Sequence, residues 1–402
     1  SSFQSISRLI FPIIPMVSAG SNYTVLLRSD GISVACGRNF YCGPCHIPLL
    51  PDGMTYAQAS AGMDHTVLLR SDGSAVACGK NSNGQCHIPP LSHGMTYTQV
   101  SAGMDQTVLL RSDGLAVACG RNDYGQCHIP QLSDDMTYTQ VSAGMYHTVF
   151  LRSDGNAVAC GHNTHEQCII PPLDDDISYT QVSAGIFHTV LVRSDGFAVA
   201  CGRNDYGQCD ILPLADGMAY TQVSAGKFHT VLLRSDGKAV AVGGNTHGQC
   251  NIPPLDEGIS YIQVSAGDHH TVLLRSDGVV VAYGLNTHGQ CNIPTLHPGT
   301  WYAADVSVVR NLVLQLDAVH QDDLMLLTFS GLTGDEVITF TASPSESAWK
   351  IHKRIAHELK IPLQSLRVVL SDGQLLAAAC RANPGASLAD VIETSAKRRR
   401  LT

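Results

Sequence analysis

The chain has 402 residues, with 25 Lys and Arg against 34 Asp and Glu, so its formal net charge is −9 at pH 7. This acidic balance, with no basic block before Lys397, argues against a protein that follows the phosphate backbone of a nucleic acid. No run of about 18 consecutive apolar residues occurs, so no membrane-spanning helix is expected. Residues 1–15 are a lead-in that ends in Ile-Ile-Pro, like the Ile-Pro segment that closes each later repeat.

From residue 16 onward the sequence repeats itself. The triplet Ser-Ala-Gly returns once after 42 residues and then five times after 41 residues. A fixed period of this length indicates supersecondary units that bury their apolar faces only by stacking on one another. The seven triplets begin at Ser18, Ser60, Ser101, Ser142, Ser183, Ser224 and Ser265.

Each repeat reads as three β-strands. The first is Tyr-Thr-Gln-Val-Ser-Ala-Gly, the second is the nearly continuous apolar Thr-Val-Leu-Leu-Arg, and the third is Ala-Val-Ala-Cys-Gly. Ser-Asp-Gly separates the second and third strands, and its Gly supplies the positive φ of a hairpin turn. We therefore predict an all-β protein with a seven-bladed β-propeller of short three-stranded blades over residues 16–300.

Two features bear on whether the ring closes. An open solenoid is the alternative architecture, and it would need polar capping repeats at its ends. Residues 301–323 instead contain a degenerate eighth copy from Val306 to Asp317. We expect this segment to close the ring and then link it to a second domain.

Strand direction places the loops. The loop after Ser-Ala-Gly and the loop after Gly-x-Asn share one face, here called the upper rim, whereas the Ser-Asp-Gly turns lie on the lower face. Aromatic side chains on such a rim suit a protein partner, because they give large contact area at a low entropic cost. Scattered exposed aromatics without a function are the alternative. The rim positions that differ between repeats are Tyr41, Asp64, Asp105, Tyr124, Tyr146, His165, Phe187, Tyr206, Phe228, His247, His269 and His288.

Two ionisable positions recur too regularly to indicate catalysis. A histidine precedes Thr at His65, His147, His188, His229 and His270, and we predict that each satisfies backbone groups inside its own blade. The Arg before each Ser-Asp-Gly is predicted to pair with its neighbouring Asp, with an anion-binding ring as the alternative. No nucleophile–base set, phosphate loop or metal-ligand cluster stands out, so no enzyme activity, metal or cofactor is predicted.

The chain contains 14 cysteines, most of them at two positions of the repeat. The last two repeats carry Val242 and Tyr283 at one of these positions, so an obligatory disulfide between the two is not expected. We predict structural thiols in a reducing, intracellular compartment, with zinc binding as the alternative. The loop cysteines are Cys45, Cys86, Cys127, Cys168, Cys209, Cys250 and Cys291; the strand cysteines are Cys36, Cys78, Cys119, Cys160 and Cys201.

One repeat shows a family resemblance well: His188, Thr189, Ser194, Asp195, Gly196, Gly202, Asn204, Gly207 and Gln208 follow the pattern G-H-T-x-x-L-x-S-D-G and W-G-x-N-x-x-G-Q, with Cys in place of Trp. This pattern resembles the regulator-of-chromosome-condensation repeat family. The resemblance implies a seven-bladed propeller, and the short blades are similar to those of a bacterial beta-lactamase inhibitor propeller. Related propellers occur in HECT-type ubiquitin ligases, whose catalytic domain has no counterpart in this sequence.

Residues 324–393 are predicted to form a small α+β domain. Strands are expected at Leu324 to Phe329, Val337 to Thr341 and Leu366 to Leu370, with a helix from Ser345 to about Leu359. This order resembles the β-grasp fold of ubiquitin, and the resemblance implies an exposed recognition patch at Leu332 and Val369. Because no terminal di-glycine is present, the domain would be a built-in ubiquitin-like module. Residues 394–402 are a basic tail, read as a nuclear-import element or a solubilising terminus.

These observations favour a non-catalytic protein-interaction scaffold. The upper rim would bind a protein partner, and the ubiquitin-like module would couple it to ubiquitin-pathway or other assembly machinery. The resemblance offers guanine-nucleotide exchange on a small Ran-like GTPase as the alternative, with Asp64 and Asp105 as acidic rim contacts. An inhibitor role rests on fold analogy alone. Ultraviolet sensing, which similar propellers perform with clustered tryptophans, is excluded because Trp301 and Trp349 lie outside the seven repeats.

Overall fold

The computed structural model describes residues 16–39, 43, 45–215, 217–256, 258–296, 302 and 343, together with the backbone of four strands between residues 312 and 369. The chain divides into two compact units, Ser1–Ala303 and Ala304–Thr402, and each is described by itself. Within the described residues, no helix has the length and apolar character needed to cross a membrane.

The first unit contains seven antiparallel sheets of three strands each, the blades. The predicted all-β, seven-bladed architecture is confirmed. The strands are β1 (Val17–Ala19), β2 (Tyr23–Leu27), β3 (Ser33–Gly37), β4 (Tyr56–Ala61), β5 (His65–Arg70), β6 (Ala75–Gly79), β7 (Tyr97–Ala102), β8 (Gln106–Arg111), β9 (Ala116–Gly120), β10 (Tyr138–Ala143), β11 (His147–Arg152), β12 (Ala157–Gly161), β13 (Tyr179–Ala184), β14 (His188–Arg193), β15 (Ala198–Gly202), β16 (Tyr220–Ala225), β17 (His229–Arg234), β18 (Ala239–Gly243), β19 (Tyr261–Ala266), β20 (His270–Arg275) and β21 (Val280–Gly284). Blade 1 is β1–β3, and each later blade takes the next three strands.

Burial explains the composition of the strands. The middle strand of blade 5, β14, is buried from His188 to Val192, as expected for a strand that is covered on both faces. Its apolar side chains pack against the neighbouring blades: Leu191 lies in one cluster with Val149 and Leu151 of blade 4. The hydrophobic core therefore lies between blades, which is why a single repeat cannot fold alone.

The hairpin turns of the lower face form as predicted. In blade 5 the N–H of Gly196 donates to the carbonyl of Arg193 at 3.0 Å, and Gly196 has a φ of 88°. A Cβ at this position would lie 2.5 Å from the Cβ of Ala219, so both the backbone conformation and the space require glycine here.

The hydrogen bonds that join each pair of neighbouring blades also join blade 7 to blade 1 and so close the ring. In each interface the Ser-Ala-Gly hydroxyl of one blade accepts the Ala N–H of the next at 2.9 Å. The seven donor–acceptor pairs are Ala61–Ser18, Ala102–Ser60, Ala143–Ser101, Ala184–Ser142, Ala225–Ser183, Ala266–Ser224 and Ala19–Ser265. The last pair joins blade 7 to blade 1, so the propeller is closed and the open solenoid is excluded.

Tyr302 lies at the seam of the ring, where blade 7 meets blade 1. It bridges Arg28 of blade 1, as Tyr261 pairs with Arg275 inside blade 7. Its hydroxyl donates to the carbonyl of Pro294 at 2.5 Å, as the hydroxyl of Tyr56 donates to Pro48. Chain beyond blade 7 thus supplies the tyrosine that the three-residue strand β1 lacks.

The second unit contains one described sheet, with strands β22 (Leu312–Gln321), β23 (Leu324–Ser330), β24 (Glu336–Ala342) and β25 (Leu366–Val369) in the order β24-β23-β22-β25. Three strands lie close to their predicted positions. Residues 301–323 differ from the expected closing segment and linker, because Leu312–Gln321 pairs antiparallel with β23 and parallel with β25. Of the described residues of the first unit in that segment, Tyr302 lies at the seam. The predicted helix, Leu332 and the basic tail lie outside the described residues.

Candidate functional site

The upper rim is built from two loops in each blade, and both have defined frames. In blade 5 the turn after Ser-Ala-Gly closes with the Gly185 N–H on the carbonyl of His188 at 2.9 Å. In the second loop, Asn204 Oδ1 accepts the N–H of Cys209 at 2.8 Å. The Arg203 N–H joins the two loops by donating to the carbonyl of Phe187 at 2.8 Å. The side chains at the tips are therefore carried by fixed backbone.

The rim brings the predicted aromatic residues of blades 3 to 5 into one cluster. The ring centroids of Tyr124 and Tyr146 lie 5.5 Å apart, and Tyr146 stacks on Phe187 with centroids 5.4 Å apart. His165 meets Phe187 edge to face at 5.0 Å. His162 lies among these rings, 4.9 Å from Tyr124 and 5.8 Å from Phe187.

A second cluster lies on the rim over blades 5 to 7. Tyr206 contacts Phe228 with centroids 4.8 Å apart, Phe228 contacts His269 at 5.9 Å, and His269 contacts His247 at 5.0 Å. The guanidinium of Arg203 lies 5.9 Å from the ring of Phe187 in the first cluster, and Arg203 belongs to the same loop as Tyr206 of the second cluster. We call these nine aromatic and histidine side chains, together with Arg203, the rim belt.

Four predicted rim residues lie outside the belt. Asp105 is only 3% exposed, and its carboxylate is held by the Lys80 ammonium at 3.0 Å and the Gln85 amide at 3.1 Å. Asp64 is half-buried and His288 is exposed, while Tyr41 lies outside the described residues. The described part of the rim is thus aromatic over blades 3 to 7.

Three belt or belt-side residues were not predicted from the sequence: His162, Arg203 and Lys227. His162 and Arg203 occupy the position directly after the strand-ending Gly, which also holds Lys80, Arg121, Gly244 and Leu285. This position differs between repeats as the loop tips do, so it could have been predicted as a rim position in the same way. Lys227 places its ammonium 5.2 Å from the ring centroid of Phe228.

At the axis, the first strands of all seven blades line a central cavity of about 200 Å³. Its upper mouth has an apolar arc of Met63, Met104, Met145 and Ile186 and a polar arc that includes Ser21 and Asp268, which hydrogen-bond each other. Burial raises the pKa of Asp268, and its hydrogen bond from Ser21 opposes this effect.

The histidines that precede Thr, here called the framework histidines, are structural, but the predicted partners were wrong: each ring bonds a threonine hydroxyl of the next blade and not a backbone group of its own blade. His147 Nε2 lies 2.9 Å from Thr189 Oγ1 in the next blade, and that hydroxyl donates to the carbonyl of Gln167 at 2.7 Å. The histidine must therefore donate from Nε2, so the neutral ring is the Nε2–H tautomer. Burial lowers the pKa of the imidazoles, to about 3 for His147 and about 4 for His188.

The other repeated side chains are also structural. Burial raises the pKa of Cys201 to about 12 and of Cys209 to about 11, and the twelve described cysteines are free thiols. Within the described ranges, His, Cys, Asp and Glu form no group suited to a metal ion. On the lower face, local Arg–Asp pairs of 2.5–2.8 Å form as predicted at Arg28, Arg111, Arg152, Arg193, Arg234 and Arg275.

Comparison with known proteins agrees with this description of the blades. Residues 56–85, 138–167, 179–208, 220–249 and 261–290 match the regulator of chromosome condensation (RCC1) repeat, in blades 2, 4, 5, 6 and 7. A search among curated protein sequences finds no match.

Three solved structures share the fold at low identity. Prp20p from Saccharomyces cerevisiae is 18% identical with a TM-score of 0.55, covering 65% of this chain and 84% of that one. The ectodomain of the receptor kinase CR4 from Physcomitrella patens is 17% identical with a TM-score of 0.54, covering 67% and 74%. Human WBSCR16 is 19% identical with a TM-score of 0.53, covering 62% and 81%. These similarities establish the propeller fold and no more.

Proposed function

We propose that this propeller of regulator-of-chromosome-condensation repeats is a non-catalytic, intracellular interaction scaffold whose rim belt binds a protein partner. The rim belt itself carries the proposal. Its rings come from five successive blades and form two groups of touching rings on a single face. Isolated exposed aromatics would not form such contacts.

The belt has the physical properties of a protein-binding surface. Tyr124 and Tyr206 are 45% and 48% exposed, so much of their area is free to be covered. Their neighbours restrict the rings before any partner arrives, which lowers the entropic cost of binding. Arg203 and Lys227 beside aromatic faces add polar contacts of the kind that accompany hot spots.

The experiment is co-purification of the tagged full chain from its native source, followed by mass spectrometry. The variant Tyr146→Ala/Phe187→Ala/Phe228→Ala should lose the specific partners of the wild-type chain. The matched control is Leu115→Ala/Phe197→Ala, which removes two exposed apolar side chains, 45% and 51% exposed, from lower-face turns. If the rim variant keeps the partners, or if the control loses them equally, the rim belt is not the binding surface.

The second unit is proposed to couple the bound partner to ubiquitin-pathway or other assembly machinery. The sequence resemblance to ubiquitin and the mixed sheet of β22–β25 support this role. A direct test is binding of the full chain to immobilised ubiquitin-receptor domains, with Val369→Ala against wild type. The proposal fails if no receptor domain binds, or if the substitution leaves binding unchanged.

Nucleotide exchange is the second candidate. The observation in its favour is the fold similarity to Prp20p, whose structure was reported together with its binding to Gsp1p and histones. One of the acidic contacts expected for this activity, Asp105, is buried and already paired. Release of labelled GDP from a Ran-type GTPase decides the question, because an exchange factor accelerates release and a scaffold leaves the spontaneous rate unchanged.

A further inference from the structure

The same seven residues, Arg-Asn-Asp-Tyr-Gly-Gln-Cys, occur at 121–127 in blade 3 and at 203–209 in blade 5. Each copy faces an aromatic residue of the next blade. Cleft A is defined by Arg121, Tyr124 and Gln126 with Tyr146, and cleft B by Arg203, Tyr206 and Gln208 with Phe228. The two ring pairs have centroids 5.5 Å and 4.8 Å apart.

Each cleft contains a buried amide that lacks an acceptor. Gln126 and Gln208 are both 1% exposed. Their Oε1 atoms accept the N–H of Tyr124 and Tyr206 at 3.0 Å, which fixes the orientation of the amides. Within the described part of the chain, neither Nε2 has a hydrogen-bond partner. Since buried donors are nearly always paired, these two amides indicate a missing acceptor.

Blade 2 shows what the missing acceptor would be. There the equivalent amide, Gln85 Nε2, donates to Asp105 Oδ1 at 3.1 Å, and the Lys80 ammonium lies 3.0 Å from the same oxygen. Asp105 follows Ser-Ala-Gly-Met in blade 3, and the residues at the same position in blades 4 and 6 are Tyr146 and Phe228. Cleft A and cleft B therefore keep the donors of the blade 2 arrangement and lack its carboxylate.

The Lys80 ammonium of blade 2 also has a cationic counterpart in each of the two clefts. Arg121 and Arg203 occupy the position of Lys80. They contact Asp123 and Asp205 at 2.6 Å and 2.5 Å, but these aspartates have side chains 65% and 61% exposed. Such solvent-exposed ion pairs are weak, so the arginines can exchange them for another carboxylate.

Among the described residues, the equivalent amides of blades 4 and 7 do not meet both conditions. In blade 4 the amide of Gln167 is already used, because its Nε2 lies 3.0 Å from His162 Nδ1. In blade 7 the Nε2 of Gln290 is also unpaired within the described residues, but Leu285 replaces the arginine. An amide without a neighbouring cation offers little to an anion.

From these contacts we propose that cleft A and cleft B each bind an aspartate or glutamate side chain of the protein partner. The Gln amide and the Arg guanidinium donate to the carboxylate, and the ring pair packs on its methylene groups. The partner therefore presents two acidic residues to sites two blades apart. This inference rests on the proposed function, since it specifies the chemistry of the partner of the rim belt.

A pair of variants tests the missing acceptor within the protein itself. Tyr146→Asp supplies a carboxylate at the position of Asp105, and Tyr146→Asn removes the same ring without adding charge. We expect the Asp variant to have the higher melting temperature at neutral pH. A melting temperature equal to or below that of the Asn variant would overturn the inference for cleft A. Phe228→Asp and Phe228→Asn repeat the comparison in cleft B.

The partner chemistry is tested with a random peptide library displayed on phage and selected on the wild-type full chain. Enriched peptides should contain Asp or Glu. Their affinity, measured by fluorescence anisotropy, should fall about tenfold with Arg121→Gln/Arg203→Gln or with Glu→Gln in the peptide. The two changes combined should cost less than the product of their separate effects.

The outcomes separate the inference from the proposed function. Peptides that lose binding to the Tyr146→Ala/Phe187→Ala/Phe228→Ala variant but need no acidic residue would overturn the inference and leave the rim belt as the binding surface. Peptides that bind independently of every rim substitution, or the failure to enrich any peptide, would contradict both.

Discussion

The framework of the propeller and its upper rim are built by the same repeats but by opposite rules. In the framework, equivalent residues make the same contact in every blade: each Ser-Ala-Gly hydroxyl accepts the Ala N–H of the next blade. On the rim, equivalent positions carry Asp105, Tyr146 and Phe187 and engage in different contacts. Repetition therefore indicates contacts between blades, and variation indicates contacts that the ring itself does not require.

Acid should break the framework first, and this is the largest effect that we expect. Burial lowers the pKa of five framework histidines, to about 4 for His65, His188 and His270 and about 3 for His147 and His229. Below about pH 6.5 the unfolded chain binds protons that the folded ring does not, so stability falls as the pH falls. Each histidine should contribute about 1.4 kcal/mol per pH unit between about 6.5 and its folded value.

The measurement is urea denaturation at several pH values, and His147→Gln is the informative variant. Blade 3 already has Gln106 at this position, with its Nε2 donating to the carbonyl of Gly144 at 2.8 Å. The substitution should be tolerated at pH 7 and should reduce the pH dependence by the share of one histidine. An unchanged pH dependence would mean that the buried imidazoles do not control acid unfolding.

The same Gly→Ala substitution should have different effects on stability at a glycine of the framework and at a glycine of the rim. A Cβ on Gly185 would lie 2.5 Å from the carbonyl oxygen of Gly226 and 2.6 Å from His188 Cε1, both in the inter-blade layer. A Cβ on Gly244 would lie 3.2 Å from the Cβ of Phe228, beside the rim belt. We expect Gly185→Ala to cost about 3 kcal/mol or more of unfolding free energy and Gly244→Ala about 1 kcal/mol or less. Equal losses in urea denaturation would contradict the distinction.

Local sequence was sufficient to predict the blades, because each strand and turn is encoded within about ten residues. Ser-Asp-Gly forms the hairpin turn in each of the seven blades, and buried Thr-Val-Leu-Leu runs need a neighbouring sheet on each face. The contacts that sequence reasoning missed are between residues far apart in the chain. Tyr302 completes a blade that starts at Val17, and Leu312–Gln321 pairs in parallel with Leu366–Val369. Nothing near these residues in the sequence marks their partners.

On the rim, too, the features encoded within one repeat were predictable and the contacts between blades were not. Most of the rim belt was predictable, since the repeat places its loop tips on one face and the aromatics are visible there. Asp105 was expected to be an exposed contact because aspartate usually is, but Lys80 and Gln85 of the preceding blade draw it inward. His162 was missed because its role depends on rings from three blades. Register between blades decides such contacts, and a single repeat does not contain that information.

The repeated thiols differ from the other repeated side chains of the framework, because we expect them to be dispensable. Cys201 Sγ donates a long hydrogen bond of 3.8 Å to the carbonyl of Gln167, and the equivalent residue in blade 6 is Val242, which packs in the cluster around Tyr220 and Leu232. Valine fills a similar volume, and the weak donor is lost without leaving a charge unpaired. Cys201→Val should therefore change the unfolding free energy by less than about 1 kcal/mol. Urea denaturation under reducing conditions measures this, with Val242→Cys as the reciprocal control. A loss of several kcal/mol would show that recurrence of the thiol reflects a required contact, as it does for the serine and histidine of the framework.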